Sequence, residues 1–433
     1  MSKFQQQYLE KRTTADGIAE QIQSNWVIAT DLGITIPYAM MDAIGKRAEK
    51  GKVSNLTVHT NLDLLPMPCY DERLKDGVHG VSWFMSGGAR QAVNGGYGDL
   101  MPNYFRDMAG LYRSYTDIDA YCAVVSPMDK HGYFTPCNGA NSFTFLQKAR
   151  YIFLEVNENM PRIPSSTLIH ISQVTALMEN NVPLPELQPN GLDDVSMVIG
   201  NLIAEEIPNG ATIQLGIGAI PNAVGQALKS KCGLGIHSEM FTESMVDLIE
   251  CGAVDNYCKP IHTGRTVATF ALGTRRLYDY LDDNPSVDML PASYVNDPAV
   301  IARHPNFCSI NAAVEVDFMG QVCAESFGPK PHSGSGGQVD FVRGAIESNG
   351  GKSFIAFPST AKGGTVSRIM PSLTAGSIVT TSKNDVDHIV TEYGIAKLRG
   401  RTFSQRTKAL IEIAHPKFRD ELTFMAKKRN ILI

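Results

Sequence analysis

Apolar positions along the chain follow two rhythms by turns, and the alternation is the first structural signal. Trp26 to Ala29 is a short apolar run of strand type, and Ile36 to Lys46 carries apolar residues at helical spacing. Asp193 to Glu206 returns to the helical period, after which a Pro-Asn-Gly turn leads into a strand over Ala211 to Leu215. Strands alternating with helices predict an α/β fold, with mainly parallel sheets and helices packed on their faces. The richest proline cluster, Pro183, Pro185 and Pro189 before Gly191, interrupts this alternation. It predicts an N-terminal α/β domain over 1–182, a Pro-rich linker over 183–192 and a C-terminal α/β domain over 193–433.

The two halves also resemble each other. ATDLGITIPYAMMDAI (29–44) matches QLGIGAIPNAVGQAL (214–228), with the pairs Ile36-Pro37 and Ile220-Pro221 lying 184 positions apart. VVSPMDKHGYF (124–134) matches AAVEVDFMGQV (312–322), which sets Asp129 and Asp317 188 apart, each followed three residues later by Gly. Two matches at nearly one offset predict two similar domains in tandem.

Composition narrows the functional classes. With 43% hydrophobic and 19% charged residues among 433, the chain is folded rather than disordered. A net charge of −5 without a polybasic run argues against a nucleic-acid surface. No stretch reaches the roughly 18 apolar residues of a membrane span. The eight cysteines form no CxxC pair, and MSKFQQQYLEKRTTADG has no apolar signal core, so a cytoplasmic protein with reduced thiols is expected. HExxH, zinc-knuckle and Walker A spacings are missing, and no metal is expected.

Three segments could carry chemistry. In the first, a strand runs into Gly216-Ile217-Gly218-Ala219-Ile220 and Pro221 is expected to open a helix, an arrangement that lets a phosphate or an oxyanion reach bare amides. A plain tight turn explains the same glycines. In the second, Gly233 to Ser238 reads as a short strand, then Phe241, Met245, Leu248 and Ile249 recur at helical spacing before Gly252. Glu239 thus falls at the carboxyl end of a strand, where α/β sheets place ligands. Glu243, one turn into the helix, reads as a dipole partner. Glu239 also lies 21 residues beyond Gly218, a spacing that suits a nicotinamide-dependent oxidoreductase, although Pro221 replaces the third glycine of that fingerprint. The third segment is SGSGGQVDFVRGA (333–345), following an expected hairpin around Asp317 to Gly320. Gly334, Gly336 and Gly337 precede an apolar, strand-like run over Val339 to Val342, which suggests a loop over a ligand or else a mobile surface loop.

LGIGAIP, GIHSEM, MGQVCAESFG, SGSGGQVDFVRGA, PSTAKGGTVSRI, VTEYGIAKLRGRT and IEIAHPKFRDEL, in this order, resemble the acetyl-CoA hydrolase/transferase family of class I CoA-transferases. Among its members the chain is most similar to the 4-hydroxybutyrate and butyrate CoA-transferases. The resemblance implies two similar α/β domains with the active site between them. It implies CoA transfer from 4-hydroxybutyryl-CoA or butyryl-CoA to a carboxylate such as acetate, through a glutamyl-CoA thioester on Glu239. The amides of Ile220 and Gly337 would be the oxyanion donors. CoA contacts would fall at Gly216, Ile217, Gly218, Ala219 and Ile220, at Asn311, and at Gly334, Gly336 and Gly337. CoA is then a substrate, with no cofactor needed, and a homodimer is a further expectation. Hydrolysis of acyl-CoA on the same site is the nearest alternative, and a noncatalytic CoA-binding protein a more distant one. Glu325, Glu392 and Glu412 are rival carboxylates, His237 reads as a packing or hydrogen-bonding residue, and the role of the Gly-rich stretch 86–102 stays open.

Overall fold

The computed structural model describes residues 2–189 and 191–433, which form two compact units. In the first, seven strands make a wholly parallel sheet. Their spatial order is Gly98–Leu100, Val78–Ser82, Leu56–Asn61, Val27–Leu32, Ala120–Val125, Tyr151–Val156, Ala176–Glu179. The strand order therefore reverses beside Val27–Leu32, as in doubly wound sheets. Ala120–Val125 is buried at every position, the expected pattern for a strand covered on both faces. Ile28, Val58 and Phe153 of the sheet pack with Met40, Met41 and Ile44 of the helix Tyr38–Glu49.

The second unit repeats the plan. Its six strands run in the order Gly235–Ile236, Thr212–Leu215, Cys308–Ala312, Lys352–Ala356, His388–Thr391, Gly394–Lys397, and only the last pair is antiparallel. Ile355 and Ile389 pack with Val342 of the helix Gln338–Glu347 and Leu410 of the helix Phe403–Glu412. The strand-order reversal again lies beside the first strand, Thr212–Leu215.

The repeat extends to turn chemistry. Asp129 Oδ1 accepts from the amides of His131 and Tyr133 at 2.8 and 2.9 Å, and Asp317 Oδ1 from those of Met319 and Gln321 at 3.0 and 2.9 Å. Gly132 and Gly320 then take φ of 88° and 89°, where a side chain would be strained.

The units do not divide the chain at one point. Ala268–Tyr294 and His332–Gly334, from within 193–433, belong to the first unit. Hydrogen bonds explain the first excursion, since Gly139 donates to the Thr269 carbonyl and Ala292 to that of Ala140.

Three readings of local structure need correction. Val339–Val342 is not a strand but part of the helix Gln338–Glu347, in which seven residues are buried on several faces, so no polar stripe marks the helical period. Pro221 does not open its helix, which starts at Ala219 behind the cap Gly218; Pro221 still falls in the first turn, where its missing N–H costs nothing. Phe241 is likewise in a short strand, Met240–Phe241, ahead of the helix Glu243–Glu250.

Candidate active site

Three adjacent strands of the second unit end together at the reversal of strand order, where such sheets bind ligands. Thr212–Leu215 delivers Gly216, Cys308–Ala312 carries Asn311 near its end, and Gly235–Ile236 leads through His237 and Ser238 to Glu239. Gly235 is needed here, because a Cβ would stand 2.6 Å from the Lys259 side chain. Lys259 is buried and its Nζ donates to the Ile236 carbonyl at 2.8 Å, holding the strand that presents Glu239.

Glu239 keeps part of its surface open. Its Oε2 accepts from Asn296 Nδ2 at 2.6 Å, and the Gly337 amide donates to the same carboxylate. Burial raises its pKa to about 7, against the opposing pull of those two hydrogen bonds. Gly337 caps the helix Gln338–Glu347, so the carboxylate faces the positive end of a helix. A Cβ on Gly337 would lie 2.0 Å from Glu239 Oε2 and 2.3 Å from Asn296 Nδ2. Only glycine permits this approach.

Asn296 was not visible in the sequence. It lies 57 positions after Glu239 in an unremarked Val-Asn-Asp-Pro run, and its Nδ2 is also 3.4 Å from Oδ2 of the buried Asp340. His237 explains how Asn296 arrives: its Nε2 donates to the carbonyl of Val295, the preceding residue, at 2.7 Å. Burial lowers the His237 pKa to about 3, so the ring is neutral and serves as a hydrogen-bonding residue.

The glycine turn leads from a strand into a helix, as expected, though two residues ahead of Pro221. Gly216 donates to the Ile310 carbonyl at 3.0 Å, and a Cβ there would press on that oxygen at 3.3 Å. Gly218 takes φ of 120°, Ile217 stands exposed, and Ala219 and Ile220 occupy the first turn of the helix Ala219–Ala227, whose leading amides lack intrahelical partners. Asn311 is paired with Gln214 through contacts of 3.3 and 3.5 Å. Gly336 has φ of 55° and lies beside Gly337, whereas Gly334 belongs to the first unit, against Trp83 and Phe84.

The rival carboxylates have other duties. Glu325 accepts from Ser335 Oγ at 3.1 Å, Glu392 holds the amide and hydroxyl of Ser359, and Glu412 is exposed at the end of its helix.

A parallel sheet with a carboxylate set against a helix start and a carboxamide defines a site for acyl chemistry without fixing the reaction. Models of the acetyl-CoA hydrolase/transferase N-terminal and C-terminal domains match residues 1–186 and 273–426. The chain is 44% identical to the succinyl-CoA:cyclohexane-1-carboxylate CoA transferase of Geobacter metallireducens, covering 99% of this chain and 97% of that one. It is 42% identical to the 4-hydroxybutyrate coenzyme A transferase of Clostridium kluyveri, covering 99% and 100%. The crystal structure of RipA from Yersinia pestis superposes with a TM-score of 0.93 at 37% identity, covering 99% and 100%. The chain belongs to the acetyl-CoA hydrolase/transferase family.

Proposed function

We propose that this enzyme moves CoA from a short-chain acyl-CoA, such as 4-hydroxybutyryl-CoA or butyryl-CoA, to a carboxylate such as acetate, with Glu239 as the nucleophile. The observation that carries the reading is the Glu239 carboxylate held by Asn296 and the Gly337 amide at a helix start. Oε1, the oxygen that Asn296 does not contact, attacks the thioester carbonyl, and collapse of the tetrahedral oxyanion expels CoA thiolate and leaves an acyl-glutamyl anhydride. Thiolate then attacks the glutamyl carbonyl, expelling the donor acid and leaving a glutamyl-CoA thioester. In that step the negative charge develops on Oε2, the atom that Asn296 already contacts. The acceptor acid repeats the sequence in reverse, so the thioester's energy is conserved. The Ile220 amide, in the first helical turn of the glycine segment, is assigned to the oxyanion of the incoming acyl group, and the segment 216–220 to CoA.

Incubation with butyryl-CoA and no acceptor should leave CoA on the peptide containing Ile236 to Met240, and Glu239→Gln should abolish both the adduct and exchange with acetate. Labelling at Glu325, or full exchange by the Gln variant, would overturn the assignment. A hydrolase using the same carboxylate would release free CoA over many turnovers, which a thiol assay detects.

A further inference from the structure

The motif PSTAKGGTVSRI takes no part in the chemistry above, yet it folds against the site's edge. Gly337 holds Glu239, and its neighbour Gln338 donates through Nε2 to the Ala312 carbonyl at 2.9 Å. The next carbonyl, that of Ala313, faces Arg368, whose Nη1 approaches it at 3.5 Å. Arg368 follows the hairpin of Thr360–Ala361 and Val366–Ser367, and its backbone amide donates to the Ser359 carbonyl.

Arg368 is half-buried, and desolvation holds its guanidinium below the ordinary arginine range. Among the described residues no carboxylate pairs with it at ion-pair distance. Glu392 adds attraction from farther away, but both its oxygens are taken by Ser359. A partly desolvated guanidinium with one long contact retains donors for a further anion. The hairpin's tip adds charge: Lys362 is exposed with φ of 49°, and Lys417 Nζ lies 3.8 Å from where a Cβ on Gly364 would stand.

We propose that Arg368 anchors a phosphate group of the CoA substrate, with Lys362 and Lys417 forming a basic rim around it. This rests on the CoA-transfer reading. The pantetheine arm separates the phosphates from the thiol, so their recognition belongs away from Glu239; Arg368 stands beyond the carboxyl end of Cys308–Ala312, tied there by its contact with the Ala313 carbonyl and by the parallel pairing of Val316 with Ile369. Planar guanidinium donors match phosphate oxygens in geometry as well as charge.

The test compares butyryl-CoA with S-butyryl-pantetheine, which lacks every phosphate, as donors to acetate. Arg368→Gln should raise KM for butyryl-CoA about tenfold, the effect of losing one charge-assisted contact, with kcat and the KM for acetate little changed. With S-butyryl-pantetheine, parent and variant should behave alike. An unchanged KM for butyryl-CoA, or an equal loss with both thioesters, overturns the proposal, the second because it signals a structural role. If the Gln variant does not fold, Arg368→Lys decides by the same comparison: a KM rise confined to butyryl-CoA supports the anchor, and any other result overturns it. Calorimetric titration with CoA separates this proposal from the reading beneath it. A parent that binds CoA without exchanging it refutes CoA transfer, while weaker binding by Arg368→Gln still supports the anchor.

Discussion

Glu239 has to be charged to attack and buried to exclude water, and its pKa of about 7 expresses that conflict. Below that value the carboxyl is protonated and cannot act as a nucleophile, so the rate of transfer should rise with pH through about 7 and then level off. Asn296 donates to the charged form and therefore lowers this pKa. Asn296→Ala should move the rising limb to higher pH and reduce kcat by roughly one to two orders of magnitude, since the oxyanion on Oε2 also loses a donor. A pH–rate profile of the variant beside the parent checks both. A drop in kcat without a displaced limb would show that the carboxamide does not tune the glutamate.

Two helix starts depend on glycine for different physical reasons. Gly218 takes φ of 120° with open space around it, so Gly218→Ala meets no neighbour but strains the backbone, and should destabilise the protein by about 1–3 kcal/mol. Gly337 has an ordinary φ of −95°, yet its Cβ position is occupied by Glu239 and Asn296. Gly337→Ala should therefore abolish most transfer, by about a hundredfold or more, because even small displacements of a nucleophile are costly. Melting curves and exchange rates measured on both variants would expose the contrast. The glycines, the strand leading to Glu239 and the helix Asp194–Glu206 were legible because turn residues and periodicity are local signals. The helix Gln338–Glu347 was not, because burial of Val339, Asp340, Phe341 and Val342 in succession leaves no polar stripe to mark the period. Asn296 was not legible either: a partner 57 positions away is fixed by the path of the chain through His237 and Val295, and no local pattern encodes that.

Each unit buries one acid against the start of the helix that precedes an inner strand of its sheet. In the second this is Glu239, at Gln338–Glu347; in the first it is Asp31, which accepts from the Ser142 hydroxyl and from amides at the start of Ser142–Lys148. Burial raises both pKa values to about 7. Both acids therefore hold their protons in the folded protein over a range where the unfolded chain, with ordinary carboxyl values near 4, has released them. At these two groups the folded state binds more protons between those limits, so their contribution to stability falls as pH rises from about 4 to about 7 and changes little above that, while the buried, neutral His59, His237 and His304 contribute in the opposite sense below about 6.5. Asp31→Asn and Glu239→Gln each remove one buried ionisation while keeping a hydrogen-bonding shape. Each variant should make the melting temperature rise more, or fall less, with pH across that interval than in the parent, and each should melt at least about 2 °C above the parent at pH 8. Only Glu239→Gln should abolish exchange through loss of the nucleophile. The measurement is a set of thermal melts from pH 4 to 8 for the parent and both variants. An Asp31→Asn variant with the parent's slope would show that the second buried acid does not carry its proton to neutral pH.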